Sequence, residues 1–390
     1  MTLFLRCQQY VVHFSRVFML LLVVTVGVTA RGGAVKAAGE EETRGFLITG
    51  SANAFHYGAM EVDCPMGFES SVEENFLTTL TTAERDRLQR PENAKEYAQS
   101  WKEDFITGPG GENVCNNAKS FMDDPRHPPF RGVQSSVAYG LNLDGTADGR
   151  ATANSCAHPK FEGLNGEPAV DNQLYRALGC VKVYDVGTIR QALDAGGDKP
   201  AVHWRKTRRD LDLYLIELRG LDDLRNDDDV EVGIYSTEDL SMGSVAGTEL
   251  LHQSFRVTPN PRWRTQTKGR IVDGVLTTDV IEVLYLSWKI PTTGPFGQAS
   301  EHEFRDVRFR VSLQPDGTMT GIMGAYRPIE NISTEGRCCK AMASAANHDC
   351  ASEHKTFATM ADGYPDARTG QCTMISAAQR VEGIPAFVVH

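Results

Sequence analysis

The segment Asn142-Leu-Asp144-Gly-Thr146-Ala-Asp148-Gly149-Arg150 places oxygen-bearing side chains on alternate positions of a glycine-rich stretch. Calcium takes about six to eight oxygen ligands, and alternate residues of a tight loop can aim theirs at one centre. Asp144, Thr146, Asp148 and Gly149 match the first, third, fifth and sixth positions of an EF-hand loop. The twelfth position would be Ser155 rather than Glu, and no flanking helices are legible, so the segment is not an EF-hand. It fits a bare calcium loop completed by Asp171 and Asn172, which a Cys156–Cys180 bridge would bring close. The same residues also fit an acidic turn lying in solvent.

Other constellations carry less chemistry. Asp222-Asp223 with Asp227-Asp228-Asp229 lies between two strand-like runs and reads as a solvated hairpin loop. His302-Glu303-Phe-Arg-Asp306 has Asp where a zinc protease helix needs its second histidine, and it lies in a strand pattern. Cys156-Ala-His158 lacks the spacing for covalent haem, and Cys338-Cys339 lacks that of a dithiol redox motif. There is no nucleophile elbow, P-loop or dinucleotide fingerprint. A His–carboxylate base could form in space from His56, His127, His158, His203, His252, His348 or His354, and spacing does not choose among them. Arg205-Lys206-Thr-Arg208-Arg209 reads as a charged strand edge, which deters edge-to-edge pairing.

The elements that must position these residues begin with an address. Arg6 and Arg16 precede or flank the short apolar run Val17–Val28, and Val28-Thr29-Ala30 offers compact residues for cleavage. This is the pattern of a secretory signal peptide over residues 1–30. The run is too short for the roughly 20 residues that span a bilayer, and no later segment approaches that length. The expected location is secreted or periplasmic, with no transmembrane segment after cleavage. The net charge of -11 offers no basic footprint for nucleic acid.

Cysteine usage agrees with export. Cys7 leaves with the signal peptide; Cys64, Cys115, Cys156, Cys180, Cys338, Cys339, Cys350 and Cys372 remain. An even set in an oxidising compartment implies a disulfide framework. The cysteines form two groups around the cysteine-free stretch 181–337, and pairing within each group is expected because it closes shorter loops.

The chain divides into a leader and helical/loop region over 31–130, a β domain with disulfide-pinned loops over 131–330, and a Cys-rich module over 331–390. Thr81-Thr-Ala-Glu84 has capping-box spacing, Pro91 suits a first helical turn, and Tyr97 and Trp101 would share a helix face. Leu211–Leu218, Val230–Tyr235, Val280–Trp288 and Phe304–Leu313 alternate as strands, and Gln314-Pro-Asp-Gly317 is turn chemistry. Strands joined by turns without crossover helices predict a mainly β fold, an antiparallel β-sandwich or the related jelly roll.

A resemblance adds to this. Val133-Gln134, the Leu141-Asn-Leu-Asp144-Gly145 loop, Cys156-Ala-His158-Pro-Lys-Phe161, Asn165-Gly-Glu167 and Val170-Asp171-Asn172-Gln-Leu-Tyr-Arg-Ala-Leu-Gly-Cys180 together resemble secreted proteins of unknown function from Gram-negative bacteria. The resemblance implies location, and it groups the Asp144 loop with Asp171 and Asn172 as parts of one site.

The leading expectation is therefore a secreted or periplasmic binding or structural protein. Calcium would hold Asp144, Thr146, Asp148, Asp171 and Asn172, and loops would be presented to a ligand. Carbohydrate is the ligand class suggested by fold analogy, with Trp204, Trp263 and Trp288 as stacking faces. The alternative is a secreted hydrolase using a metal-bound water or a His/Asp pair.

Overall fold

The computed structural model describes residues 42–56, 58–107, 114–181, 213–239, 241, 250–289, 299–332 and 349–390. They all belong to one compact unit, Glu40–His390. Among them no helix is long and apolar enough to cross a membrane.

The strands are β1 (Glu42–Asn53), β2 (Val137–Ala138), β3 (Glu162–Gly163), β4 (Tyr214–Leu221), β5 (Asp227–Ser236), β6 (Gln253–Arg256), β7 (Arg264–Val272), β8 (Val275–Thr278), β9 (Ile281–Lys289), β10 (Ala299–Leu313), β11 (Met319–Pro328), β12 (Gly363–Pro365) and β13 (Cys372–Val389). The order β1-β4-β5-β7-β8-β10-β11-β13 returns to β1 through an antiparallel β1–β13 pairing. This closes an eight-stranded antiparallel β-barrel and corrects the expected open sandwich. Alternating strands look the same in either architecture. What separates them is the pairing of Gly45 with Ala386 through Asn53 with Gln379, between the two ends of the described chain. Closure also removes the free sheet edges a sandwich would keep.

The bore is solid. Tyr214, Ile216 and Leu218 of β4 alternate inward, as do Val230, Val232 and Ile234 of β5, and they meet Phe304, Val307, Phe309 and Val311 of β10. Eight strands enclose a space that side chains can fill, so no ligand chamber is needed inside. β10 also departs from the alternation its sequence suggests. Phe304 and Val307 both face the core, because the register shifts between Arg305 and Arg308 and Asp306 adopts a left-handed φ of 50°. A β-bulge of this kind re-aims one side chain, and such bulges cluster beside functional sites.

Outside the barrel lies a layer of loops and short helices. Thr81 caps the helix Thr82–Leu88 with the reciprocal Glu84 bond its spacing predicts. Residues 114–181 pack on β10 and β11. Arg308 donates to the carbonyls of Asn142 and Leu143, and Arg310 pairs with Glu167 at 2.7 Å. Leu141 lies so close to Gly324 that a Cβ there would sit 3.2 Å from it.

Three disulfides fasten this layer: Cys64–Cys180, Cys115–Cys350 and Cys156–Cys372. Only the first stays within its group; the other two cross the cysteine-free stretch, correcting the expected pairing. Loop closure costs grow only logarithmically with length, so the barrel topology decides. It returns β13 and the helix α1 (Cys350–Met360) to the loop layer and places Cys372 and Cys350 beside their partners. Cys338 and Cys339 lie outside the described residues.

Candidate functional site

Three separate segments converge on the outer face of the barrel. The first is the Asp144 loop, held by Arg308 as above and folded on itself: Thr146 donates its backbone N–H and its hydroxyl to Asp144 Oδ1, at 2.8 and 2.9 Å. The second is the extended run Cys156–Phe161, in which alternate residues His158 and Lys160 face the loop. Gly149 makes this approach possible, since a Cβ at that position would lie 1.9 Å from the carbonyl oxygen of His158. The third is Asp171, fixed by the antiparallel bridge between Leu141 and Asp171 and by the N–H of Leu143, 2.7 Å from its Oδ2. Asp362 joins them from the turn before β12; its carbonyl accepts the N–H of Cys156, and its Oδ1 accepts that of Ser376.

The resulting cluster is dense in charge and dry. His158 Nε2 lies 2.7 Å from Asp171 Oδ1, 3.5 Å from Asp362 Oδ2 and 4.0 Å from Asp144 Oδ2. Lys160 Nζ lies 2.6 Å from an oxygen of Asp144 and 2.6 Å from one of Asp171. Asp171 and Asp362 are fully buried, and Lys160 and Asp144 keep side-chain exposures of only 7% and 2%. Three carboxylates thus surround the Lys160 ammonium and the His158 imidazole, with Asp144 at the edge of the group.

Each ionisation follows from these neighbours. Burial pushes the His158 imidazole down, but the Asp171 hydrogen bond, the Asp362 charge and the Cys156 carbonyl more than offset it and hold it above its ordinary value. Both ring nitrogens face acceptors, Nδ1 the Cys156 carbonyl at 2.7 Å and Nε2 Asp171, which suits an imidazolium. Asp144 is desolvated, yet Lys160 and the two Thr146 donors hold it below the usual carboxylate range. Asp362, fully buried, is pushed up to about 6, with the His158 charge and the Ser376 N–H limiting the rise. Burial raises the Tyr326 phenol as well, and Asp362, Asp171, Asp144 and Asp306 add to the effect.

Beside the cluster opens a cleft of about 320 Å³, lined by Leu143, Asp144, Thr152, Ala153, Asn154, Val280, Asp306, Arg308 and Tyr326. Its wall carries unusual backbone. Asp306 has φ 50°, and its neighbour Tyr364 has φ 56°. The Tyr364 phenol is pushed up to about 12 by burial and by the charge and hydrogen bond of Asp306. The Tyr364 N–H donates to the Asn154 carbonyl at 2.8 Å, and its ring meets that of Tyr326 edge-on at 5.9 Å. Non-glycine residues in the left-handed region cost about 1–3 kcal/mol each and gather at ligand clamps.

Of the residues the sequence nominates, Asp144 and Asp171 come together. Thr146 supports Asp144 from the side. Asp148 points outward, its side chain 67% exposed and 3.9 Å from Arg150. Asn172 turns away: its Oδ1 accepts the N–H of Tyr175 as a helix N-cap, and its amide donates to the Ala54 and Tyr139 carbonyls. Sequence reasoning named His158 only as one of seven histidines that could form a His–carboxylate pair, and it missed Lys160, Asp362 and Tyr326. The alternation of His158 and Lys160 behind Cys156 was the available signal. In the other acidic group, Asp227 accepts the N–H groups of Asp222 and Asp229, as in a hairpin turn. Trp263 gives its indole N–H to Glu301 at 2.8 Å. Trp204, His203, His348 and the run Arg205–Arg209 lie outside the described residues.

No protein-family model, curated protein or solved structure matches the chain.

Proposed function

We propose that this is a secreted or periplasmic binding protein that holds a small, hydroxyl-rich ligand of the carbohydrate class in the cleft over Asp144, Asp306 and Tyr326. The observation that carries the reading is the composition of the cleft. Carboxylates from Asp144 and Asp306, the Asn154 amide and the Thr152 hydroxyl line the cleft with the half-exposed Val280 and the edges of the nearly buried Leu143 and Tyr326. A sugar needs both kinds of surface, hydrogen-bond partners for its hydroxyls and an apolar face for its ring. A volume of about 320 Å³ is at the low end of ligand sites, about 300–1,000 Å³, and suits one or two residues of a glycan. The strained Asp306–Tyr364 pair supports a preorganised clamp.

Export is supported by the Val17–Val28 run, by three formed disulfides and by the resemblance of the Cys115–Cys180 region to secreted proteins. A hydrolase would need a proton donor at the cleft. Asp144 is held ionised there, and Asp362, the carboxyl that burial raises, does not line it. The Tyr326 phenol does line it, so the mixed polar and apolar composition of the cleft, rather than its acid–base groups, places binding before catalysis.

The test is calorimetric titration of the mature, oxidised protein with a panel of neutral, amino and uronic monosaccharides and disaccharides. Saturable binding to at least one, weakened about tenfold or more by Asp306→Asn, supports the reading. A panel without a binder, or a binder indifferent to Asp306→Asn, overturns it.

A further inference from the structure

Behind the cleft, three of the five side chains of the charged cluster, His158, Asp171 and Asp362, share one design. Each has its outer polar atom occupied by the surrounding structure and its inner atom turned to a common centre. His158 Nδ1 is engaged by the Cys156 carbonyl at 2.7 Å, leaving Nε2 inward. Asp171 Oδ2 accepts the Leu143 N–H at 2.7 Å, leaving Oδ1 inward. Asp362 Oδ1 accepts the Ser376 N–H at 2.6 Å. Its Oδ2, fully buried, has no hydrogen-bond partner and lies 3.5 Å from His158 Nε2. Asp144 takes the Thr146 donors on Oδ1 and the Ser155 hydroxyl on Oδ2 at 3.2 Å. A second buried atom without a hydrogen-bond partner, the Tyr326 hydroxyl, lies in the electrostatic reach of all three carboxylates.

We infer that this cluster is a binding site for a divalent transition-metal ion of the zinc class, with His158 Nε2, Asp171, Asp362 and Asp144 as ligands. Ligand atoms of His158, Asp171 and Asp144 already lie within 4.8 Å of one another. Around tetrahedral zinc, bonds of about 2.0–2.2 Å put ligand atoms roughly 3.3–3.6 Å apart. The 3.5 Å separation from His158 Nε2 to Asp362 Oδ2 falls in that range; the 2.7 Å hydrogen bond to Asp171 has to open by about 0.6–0.9 Å and the 4.0 Å to Asp144 Oδ2 to close by about 0.5 Å for an ion to enter. The engaged Nδ1 is the second contact that metal-binding histidines characteristically make; it keeps the Nδ1 proton in place, so that an ion binding at Nε2 releases the proton shared there with Asp171 to solvent. Imidazole among the donors favours zinc and its neighbours over calcium, which takes about six to eight oxygens.

Lys160 explains how the cluster stays folded without such an ion. Its ammonium, 2.6 Å from oxygens of both Asp144 and Asp171, stands in the place of a cation. A metal ion must expel it, so Lys160 acts as a built-in competitor that sets the threshold for occupancy. Asp144 lies on both the cluster and the cleft, which provides a path of entry. This inference does not depend on the identity of the cleft ligand.

The experiment is titration of the metal-free, oxidised protein with zinc chloride, read by calorimetry, beside cobalt chloride read by its visible d–d absorption. One zinc ion per chain is expected. Lys160→Met tightens binding about tenfold or more, because no ammonium has to leave its two carboxylates first. His158→Gln weakens it by about tenfold or more with the near-ultraviolet circular dichroism unchanged. Should His158→Gln fail to fold, the cobalt spectrum of the unaltered protein decides: bands of a low-symmetry nitrogen–oxygen site support the assignment, and the spectrum of aqueous cobalt overturns it. Absence of saturable zinc binding by both the unaltered protein and Lys160→Met also overturns it. So does zinc binding indifferent to His158→Gln, or a preference for calcium over zinc.

Discussion

His158 Nε2 and Asp171 Oδ1 lie 2.7 Å apart, although the loop that carries one and the turn that carries the other are built from different segments. The contact is placed by backbone on both sides. His158 gives its N–H to the Gly149 carbonyl at 2.9 Å, and Asp171 gives its own to Leu141 at 3.0 Å. Asp171 should therefore be the keystone of the cluster. Asp171→Ala removes the shared acceptor of His158, Lys160 and the Leu143 N–H, leaving Lys160 with Asp144 alone and His158 with Asp362 at 3.5 Å. A loss of about 3–5 kcal/mol in urea unfolding is expected. A loss under about 1 kcal/mol would show that the cluster is not a coupled unit.

Two glycines in the same loop separate steric from conformational demand. Gly145 and Gly149 have φ of 74° and 70°. A Cβ on Gly145 meets nothing within 4 Å, whereas one on Gly149 meets the His158 carbonyl oxygen at 1.9 Å. Gly145→Ala should cost about 1–2 kcal/mol, the left-handed penalty alone. Gly149→Ala should cost at least about 2 kcal/mol more, because His158 has to move away. Equal costs in parallel denaturation curves would contradict this packing.

Disulfide mapping tests the fold at long range. Non-reducing peptide mass spectrometry should recover Cys64–Cys180, Cys115–Cys350 and Cys156–Cys372. The Cys156→Ser, Cys372→Ser double variant should lose about 3–5 kcal/mol and release the carbonyl that orients His158. A recovered Cys156–Cys180 peptide would contradict the closed barrel with its loop layer.

The pH dependence of folding should show a second buried pair. Asp349, the N-cap of α1, accepts the N–H groups of Ala351 and Ser352, the Asn75 amide and His127 Nδ1 at 2.9 Å. Burial pushes its carboxyl up, but the His127 hydrogen bond and charge, with the Ser352 and Asn75 donors, hold it below the ordinary value. The folded value thus lies under the unfolded one, about 3.9. Its contribution to stability is present above about pH 4 and is lost as pH falls through the depressed folded value. Asp349→Asn should cost about 3 kcal/mol at neutral pH and make stability less dependent on pH below about 4. An unchanged acid transition in the variant would contradict the assignment.

Parts of this were legible in the chain. The alternating oxygens of Asn142–Asp148 point to Asp144, and the Thr81–Glu84 capping box and the Gln314–Gly317 turn follow from local rules. Barrel closure was not legible, because it depends on β1 meeting β13, and the small residues Ala377, Ala378 and Gly383 of β13 do not announce a strand. The bulge at Asp306 was hidden by a regular alternation that runs through it. Asp362 sits in an ordinary Ala-Asp-Gly turn, and only the Cys156–Cys372 connection and the Cys156 N–H bring it to His158. Sites assembled from such tertiary contacts leave almost no trace in spacing.

The most direct test of the proposed binding function is amide chemical-shift mapping of the oxidised protein, with the best-binding sugar of the calorimetric panel. The account predicts saturable shifts concentrated at Thr152–Asn154, Asp306, Arg308 and Tyr364. Shifts confined to other surfaces, or none at saturating sugar, would contradict it.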